Sequence, residues 1–273
     1  MKQDNVTLNR DSNINDVISL RRTGFFSLKG VKKVLICFHG FQTSLKHDLQ
    51  DFKTYFDEVN QNKFNEVCLA SLYTLGDKKT YSHKKMYEKA RTIVKDYIDR
   101  GYLVYILAYS FSSGLCAKIC NEFSEVSKLV LVSPTTYLLK TRLLINYIKI
   151  AIKHVKFRIK YGNKGKVLLK KNKSNGIIKL SIAISTSIVH FRKFLKKVRC
   201  RIFMIKGNKD EFSITNTFSY ISMKAERAIT QSKIYPSLDH TMIINKETGI
   251  DAYNDILKFV FHMNLSNEGI EDD

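Results

Sequence analysis

Ser110 lies in a strand-to-helix turn, a position at which a serine can act as a nucleophile. The apolar stretch Leu103 to Tyr109 predicts a buried strand, and helical periodicity begins directly after it. Such a turn places the central side chain at the carboxyl edge of a sheet and requires small residues two positions away, here Ala108 and Ser112. A serine attacks only when an imidazole takes its proton and a carboxylate orients that imidazole. Without such partners, Ser110 is an ordinary turn serine.

A carboxylate and an imidazole follow later predicted strands. Asp210 comes after the strand-like stretch Arg201 to Ile205, and His240 lies in the loop before the last predicted helix. Residues at the carboxyl ends of strands in an open α/β sheet line one crevice, so these side chains could meet Ser110. Glu211 and Asp239 are alternative carboxylates. The simpler interpretation of the adjacent residues Asp239 and His240 is that they form an ion pair on the surface.

Strands and helices alternate along most of the chain. Apolar runs predict strands, and apolar residues at helical spacing predict helices between them. The predicted strands are Val31 to Phe38, Glu66 to Leu72, Leu103 to Tyr109, Lys128 to Val132, Arg201 to Ile205 and Ser232 to Tyr235. The predicted helices are Leu49 to Val59, Ser82 to Arg100, Leu115 to Phe123, Asn216 to Ala228 and Ile250 to Phe261. This alternation predicts an α/β fold with a mostly parallel, doubly wound sheet.

The alternation is interrupted once, between residues 135 and 199. Two helical stretches, Thr141 to Tyr161 and Ile177 to Val198, are joined there by a basic segment that contains glycines. We interpret residues 135–199 as a helical cap inserted into a core formed by residues 1–134 and 200–265. Residues 266–273 form an acidic tail.

The order of these parts resembles the α/β-hydrolase family from about Val31 to Phe261. The segment His39-Gly40-Phe41 after the first strand looks like the family's oxyanion segment. The resemblance implies that Ser110 is the nucleophile, Asp210 the acid and His240 the base, in the family's chain order. It also implies backbone N–H donors for an oxyanion at Phe41 and Phe111, and it implies no cofactor. His39 itself is expected only to shape its loop.

Two features depart from the family pattern. The turn around Ser110 lacks both glycines of G-x-S-x-G. After the strand that ends near Tyr73, the family often has an aspartate followed by a glycine-rich turn, whereas this chain has Thr74-Leu75-Gly76-Asp77. These departures leave the subfamily unassigned. They also keep open a second interpretation, a catalytically inactive α/β-hydrolase scaffold whose basic cap binds an anionic membrane surface or an acidic protein. The favoured reading is a serine hydrolase that cleaves an ester or thioester of an apolar acyl group.

The net charge of +21 is confined to one segment. Residues 126–209 contain 22 lysines and arginines and no acid, whereas the rest of the chain sums to about −1. Basic residues of the predicted cap could form a solvated outer face, or they could bind an anionic membrane surface or an acidic acyl carrier. Nucleic acid is a disfavoured partner, because no nucleic-acid-binding motif accompanies the charge.

The remaining composition predicts a cytoplasmic protein, and the basic cap leaves a peripheral location at a membrane open. The five cysteines stand singly inside apolar runs, which is typical of reduced buried thiols. The first thirteen residues are polar and contain acids, unlike a secretory signal. No apolar run approaches the roughly 18 residues that a membrane-spanning helix needs.

Overall fold

The computed structural model of the chain describes residues 30–41, 47–135, 176–213 and 216–263. The predicted helix Thr141 to Tyr161 and the acidic tail lie outside the described residues. The boundaries of the cap therefore stay a prediction.

The described residues form one six-stranded sheet in which every neighbouring pair of strands is parallel. Strands buried on both faces are apolar along most of their length, which explains why apolar runs located them. The strands are β1 (Lys33–Phe38), β2 (Asn65–Ala70), β3 (Leu103–Tyr109), β4 (Val126–Val132), β5 (Arg201–Gly207) and β6 (Thr230–Tyr235). Their spatial order is β2-β1-β3-β4-β5-β6.

This strand order contains a reversal between β1 and β3. The chain moves from β1 outward to β2 and then returns to pair β3 on the other side of β1. The loops after β1 and β3 therefore leave the sheet in opposite directions, which opens a crevice at the carboxyl ends of these strands. Ser110 follows β3 at this crevice, and Gly40 lies in the loop that follows β1.

Helices cover both faces of the sheet, as a doubly wound fold requires. They are α1 (Gln50–Val59), α2 (His83–Asp99), α3 (Ser112–Glu122), α4 (Ile177–Phe191), α5 (Thr217–Lys224) and α6 (Lys246–Phe261). The buried side chains of α1 and α6 pack in one core cluster, and those of α2 to α5 pack in the other. The predicted α/β fold class is confirmed.

Helix α4 coincides with part of the second stretch that the sequence assigns to the cap. Its apolar residues Leu180, Ile184, Ile188 and Phe191 belong to the core cluster shared with α2 and α3. Helix α4 lies close to α3 at Gly114. A Cβ atom added to this glycine would lie 3.3 Å from the Cβ atom of Phe191. A short 3₁₀ helix, Arg192–Lys197, then leads to β5. This part of the chain thus packs as a layer of the core.

Several helix ends differ from the prediction; α3, for example, begins at Ser112, three residues before Leu115. Helix α6 begins at Lys246, four residues before Ile250, because Asn245 caps it by accepting a hydrogen bond from the Glu247 N–H at 2.9 Å. Helix α5 ends at Lys224 rather than near Ala228.

No helix in the described ranges is both long enough and apolar enough to cross a membrane. All five cysteines are unpaired; four are buried, and Cys68 is half-buried.

Candidate active site

Ser110 occupies a left-handed turn between β3 and α3. Its φ angle is +58°, a conformation that costs a non-glycine residue on the order of 1–3 kcal/mol. The Ser110 N–H donates to the carbonyl of Val132 at 2.9 Å, which ties the turn to β4. The turn therefore directs the Ser110 side chain toward the crevice, as predicted for such a position.

The small residues around Ser110 make this turn possible. Ala108 and Ser112 are fully buried. The Ser112 hydroxyl donates to the carbonyl of Tyr109 at 2.9 Å, and the Ser113 hydroxyl donates to the carbonyl of Ser110 at 2.7 Å. Serine therefore replaces a glycine of G-x-S-x-G without leaving its hydroxyl unpaired.

His240 joins Ser110 to Asp210. Its Nε2 atom lies 3.0 Å from Ser110 Oγ, and its Nδ1 atom lies 2.9 and 3.0 Å from the two carboxylate oxygens of Asp210. A carboxylate can only accept, so Nδ1 carries the proton and Nε2 is free to accept from the serine hydroxyl. The structure thus brings together the three residues on which the sequence prediction rests.

Asp210 is held in an environment that keeps it ionised. Its side chain is fully buried, and burial alone would raise the pKa of the carboxyl. Hydrogen bonds outweigh this effect, because His240 donates through Nδ1 and the N–H groups of Phe212 and Ser213 donate to Oδ1 at 2.9 and 2.8 Å. The pKa of Asp210 is consequently lowered from its ordinary value.

The alternative carboxylates do not serve His240. Asp239 is exposed, and its Oδ1 atom accepts from the N–H and the hydroxyl of Thr241 at 2.8 and 2.7 Å. Glu211 is also exposed, and within the described part of the chain it makes no hydrogen bond to His240. Asp210 is therefore the carboxylate that orients this imidazole.

His39 holds the loop after β1 by its ring nitrogens. Its Nδ1 atom donates to the carbonyl of Gly40 at 2.7 Å, and Nε2 accepts from the N–H of Leu72 at 2.8 Å. Burial lowers the pKa of His39 to about 3, so the ring is neutral at pH 7. The expectation that His39 shapes its loop is confirmed.

Phe41 and Phe111 present the two backbone N–H groups that the resemblance implies. Phe111 follows Ser110 directly at the start of α3 and is buried, whereas the Phe41 side chain is 42% exposed. Among the described residues, neither N–H group has a hydrogen-bond acceptor. That these two N–H groups bind an oxyanion stays a prediction.

Structural comparison identifies the fold. Neither models of known protein families nor curated protein sequences match the chain. Solved structures do match, among them a metagenome-derived lipolytic enzyme, with 10% identity, a TM-score of 0.60, and coverage of 86% of this chain and 95% of that one. The chain has the α/β-hydrolase fold.

Two further α/β-hydrolase structures are similar to it. A bromoperoxidase from Bacillus anthracis has 12% identity and a TM-score of 0.60, covering 86% of this chain and 93% of that one. A thioesterase domain from the curacin biosynthetic pathway has 13% identity and a TM-score of 0.53, covering 84% and 91%. At these identities the likeness establishes the fold only.

Three residues that hold the site of this α/β-hydrolase fold were not singled out from the sequence. The Tyr109 hydroxyl donates to the carbonyl of His240 at 2.9 Å, and Asp48 Oδ2 accepts from the Gly40 N–H at 3.1 Å. Gly207 must lack a side chain, because a Cβ atom there would lie 2.0 Å from the Leu238 carbonyl oxygen. The only sequence feature that could have indicated one of these contacts is the glycine at the end of the strand before Asp210, a residue type that permits close backbone approach.

Asp48 also has a perturbed acidity. Burial raises the pKa of its carboxyl, and the Gly40 N–H partly opposes this effect. No cluster of three His, Cys, Asp or Glu side chains that could hold a metal ion occurs among the described residues.

Proposed function

We propose that the chain is a serine hydrolase that cleaves an ester or thioester of an apolar acyl group. The observation that carries this proposal is the pair of contacts made by His240, 3.0 Å from Ser110 Oγ and 2.9 Å from Asp210. The serine, imidazole and carboxylate are arranged as nucleophilic acyl transfer requires.

In the first half of the reaction, Ser110 Oγ attacks the acyl carbon while its proton passes to His240 Nε2. The negative charge on the former carbonyl oxygen is stabilised by the N–H groups of Phe41 and Phe111. The C–O or C–S bond then breaks, and His240 returns its proton to the leaving alkoxide or thiolate. Ser110 is left as an acyl ester.

Water completes the cycle by the same proton transfers. His240 Nε2 takes a proton from water, the resulting hydroxide attacks the acyl carbon, and the carboxylic acid leaves as Ser110 recovers its proton. Asp210 stays ionised throughout and stabilises the imidazolium form of His240.

An apolar acyl group is supported by two exposed aromatic side chains near the site. Phe212 is 68% exposed, and its ring centroid lies 5.0 Å from that of His240. Phe41, 42% exposed, directly follows Gly40 at the crevice. Aromatic walls of this kind favour apolar ligands. The structural neighbours include a lipolytic enzyme and a thioesterase domain.

Hydrolysis of short-chain p-nitrophenyl esters tests the proposal. We expect the wild-type protein to release p-nitrophenol and Ser110→Ala to lose this activity. Ser237→Ala is a matched control, because Ser237 also has a left-handed backbone, with φ of +65°, but is exposed and lies outside the three-residue contact. An inactive wild-type protein that also resists a fluorophosphonate probe would instead identify an inactive scaffold.

We further propose that the basic region brings the protein to an anionic membrane surface. Lys193, Lys196 and Lys197 are exposed in the 3₁₀ helix that follows α4, and Arg199 is exposed in the loop after it. Basic residues near an anionic bilayer contribute roughly 1 kcal/mol each. Changing all four to glutamine should weaken co-sedimentation with anionic vesicles. Equal binding to neutral and anionic vesicles would contradict this proposal, and binding to an acidic acyl carrier alone would replace it.

A further inference from the structure

Lys206 is a buried lysine that the proposed reaction does not use. It precedes Gly207 at the end of β5 and is 4% exposed. Its Nζ atom donates to the carbonyl of Ser213 at 2.9 Å and lies 5.7 Å from the ring centroid of Phe218. Burying an ammonium group is costly, so a lysine here requires compensating contacts.

Lys206 binds Ser213, the residue whose backbone N–H group donates to the Asp210 carboxylate. The N–H of Ser213 donates to Asp210 Oδ1 at 2.8 Å, and the Ser213 hydroxyl donates to the carbonyl of Pro134 at 2.9 Å. Ser213 is fully buried. The backbone of Ser213 is therefore fixed on both sides, by Lys206 at its carbonyl and by Asp210 at its N–H.

Lys206 and Asp210 also interact through their charges. Burial lowers the pKa of Lys206, whereas the nearby carboxylate of Asp210 raises it. Burial is the larger effect, so the pKa of Lys206 lies below its ordinary value, and the Asp210 carboxylate limits the decrease.

We propose that Lys206 is a positioning residue for Asp210. By holding the Ser213 carbonyl, its ammonium group fixes the loop 210–213 so that the Asp210 carboxylate stays on His240 Nδ1. This inference rests on the proposed function, because positioning becomes visible in turnover only if the site is active.

Lys128 provides a matched control at the other end of the sheet. It is 2% exposed, and its Nζ atom donates to the carbonyls of Phe259 and Val260 at 2.9 and 3.0 Å. It pairs in register with Arg201 at the start of β5, whereas Lys206 lies near the end of that strand. Both residues are thus buried lysines bound to backbone carbonyls, but only Lys206 adjoins the site.

The experiment compares Lys206→Met with Lys128→Met. We expect both variants to lower the midpoint of thermal unfolding. Only Lys206→Met should lower kcat, by about 10- to 100-fold after correction for the fraction of active sites that a fluorophosphonate titrates. Its KM should stay within about twofold of the wild-type value. Lys206→Arg, which keeps the charge and the donor, should recover most of kcat. If Lys206→Met does not fold, Lys206→Gln carries the same expectation for kcat.

A second readout does not depend on turnover. The low-field proton NMR signal of His240 Nδ1–H, which reports its bond to Asp210, should move or vanish in Lys206→Met and persist in Lys128→Met. Equal kcat in the two variants, or an unchanged signal in Lys206→Met, would overturn the inference. If wild type neither turns over esters nor reacts with a fluorophosphonate, the proposed function fails and the NMR comparison alone decides the role of Lys206.

Discussion

Two histidine loops lie near the carboxyl edge of the sheet and use the same side chain differently. In the loop after β1, His39 is fully buried, and both of its ring nitrogens bind backbone groups. In the loop after β6, the His240 side chain is 17% exposed and binds a carboxylate and a serine hydroxyl. Backbone partners cannot exchange protons with the ring, whereas a serine hydroxyl can donate one. The partners, rather than the residue type, separate a structural histidine from one suited to proton transfer.

The largest difference between the loops should appear in turnover when each histidine is changed to leucine in a separate variant. His240→Leu removes the proton acceptor of Ser110, so we expect kcat to fall by about 10⁵- to 10⁶-fold. The free energy of unfolding should also fall, by about 1–2 kcal/mol, because leucine leaves the buried Asp210 carboxylate without the Nδ1–H donor and with only two backbone donors. Steady-state ester hydrolysis and urea unfolding measure the two quantities. Turnover within tenfold of wild type would contradict the role of His240.

The same substitution at His39 should act mainly on stability. His39→Leu leaves the Leu72 N–H and the Gly40 carbonyl without their partners in a buried place. We expect the free energy of unfolding to fall by about 3 kcal/mol, measured by urea unfolding at pH 7.5. A variant as stable as wild type would show that these two bonds do not hold the loop.

The smallest difference between the loops should appear in the pH dependence of stability. The pKa of His39 is about 3 in the folded protein and about 6.5 when unfolded, so only the unfolded state binds its proton between these values. The stability that His39 contributes is therefore present above pH 6.5 and is lost as the pH falls. By pH 5 this loss is about 2 kcal/mol.

Urea unfolding at pH 7.5 and pH 5 tests this sign in wild type and His39→Leu. The stability of wild type should fall more steeply between the two pH values than that of the variant. Parallel pH profiles would mean that His39 can be protonated in the folded state.

The strand and helix pattern could be predicted because parallel strands and amphipathic helices leave local signals. The runs that end at Phe38 and Tyr109 identified β1 and β3, and Gly101 marked the end of α2. The predicted strand ends then limited the choice of catalytic residues. Ser110, Asp210 and His240 each follow a strand, and residues in such positions lie at the same edge of a parallel sheet.

The contacts that hold the site could not be predicted, because they join distant parts of the chain. Asp48 binds Gly40 across a loop, and Tyr109 binds the backbone of His240 from another strand. Lys206 reads as one of many lysines in a basic segment, and only the fold shows that it is buried. Likewise, the sequence predicted the stretch that contains α4 as part of an inserted cap, without indicating that its apolar residues would pack against α3.

Covalent labelling of Ser110 tests the central claim most directly. The wild-type protein is treated with a fluorophosphonate, and the modified residue is located by mass spectrometry of its peptides. Our account predicts one adduct per chain, on Ser110, and none in Ser110→Ala or His240→Leu. No adduct in the wild-type protein, or an adduct on another residue, would contradict the proposal that Ser110 is an activated nucleophile.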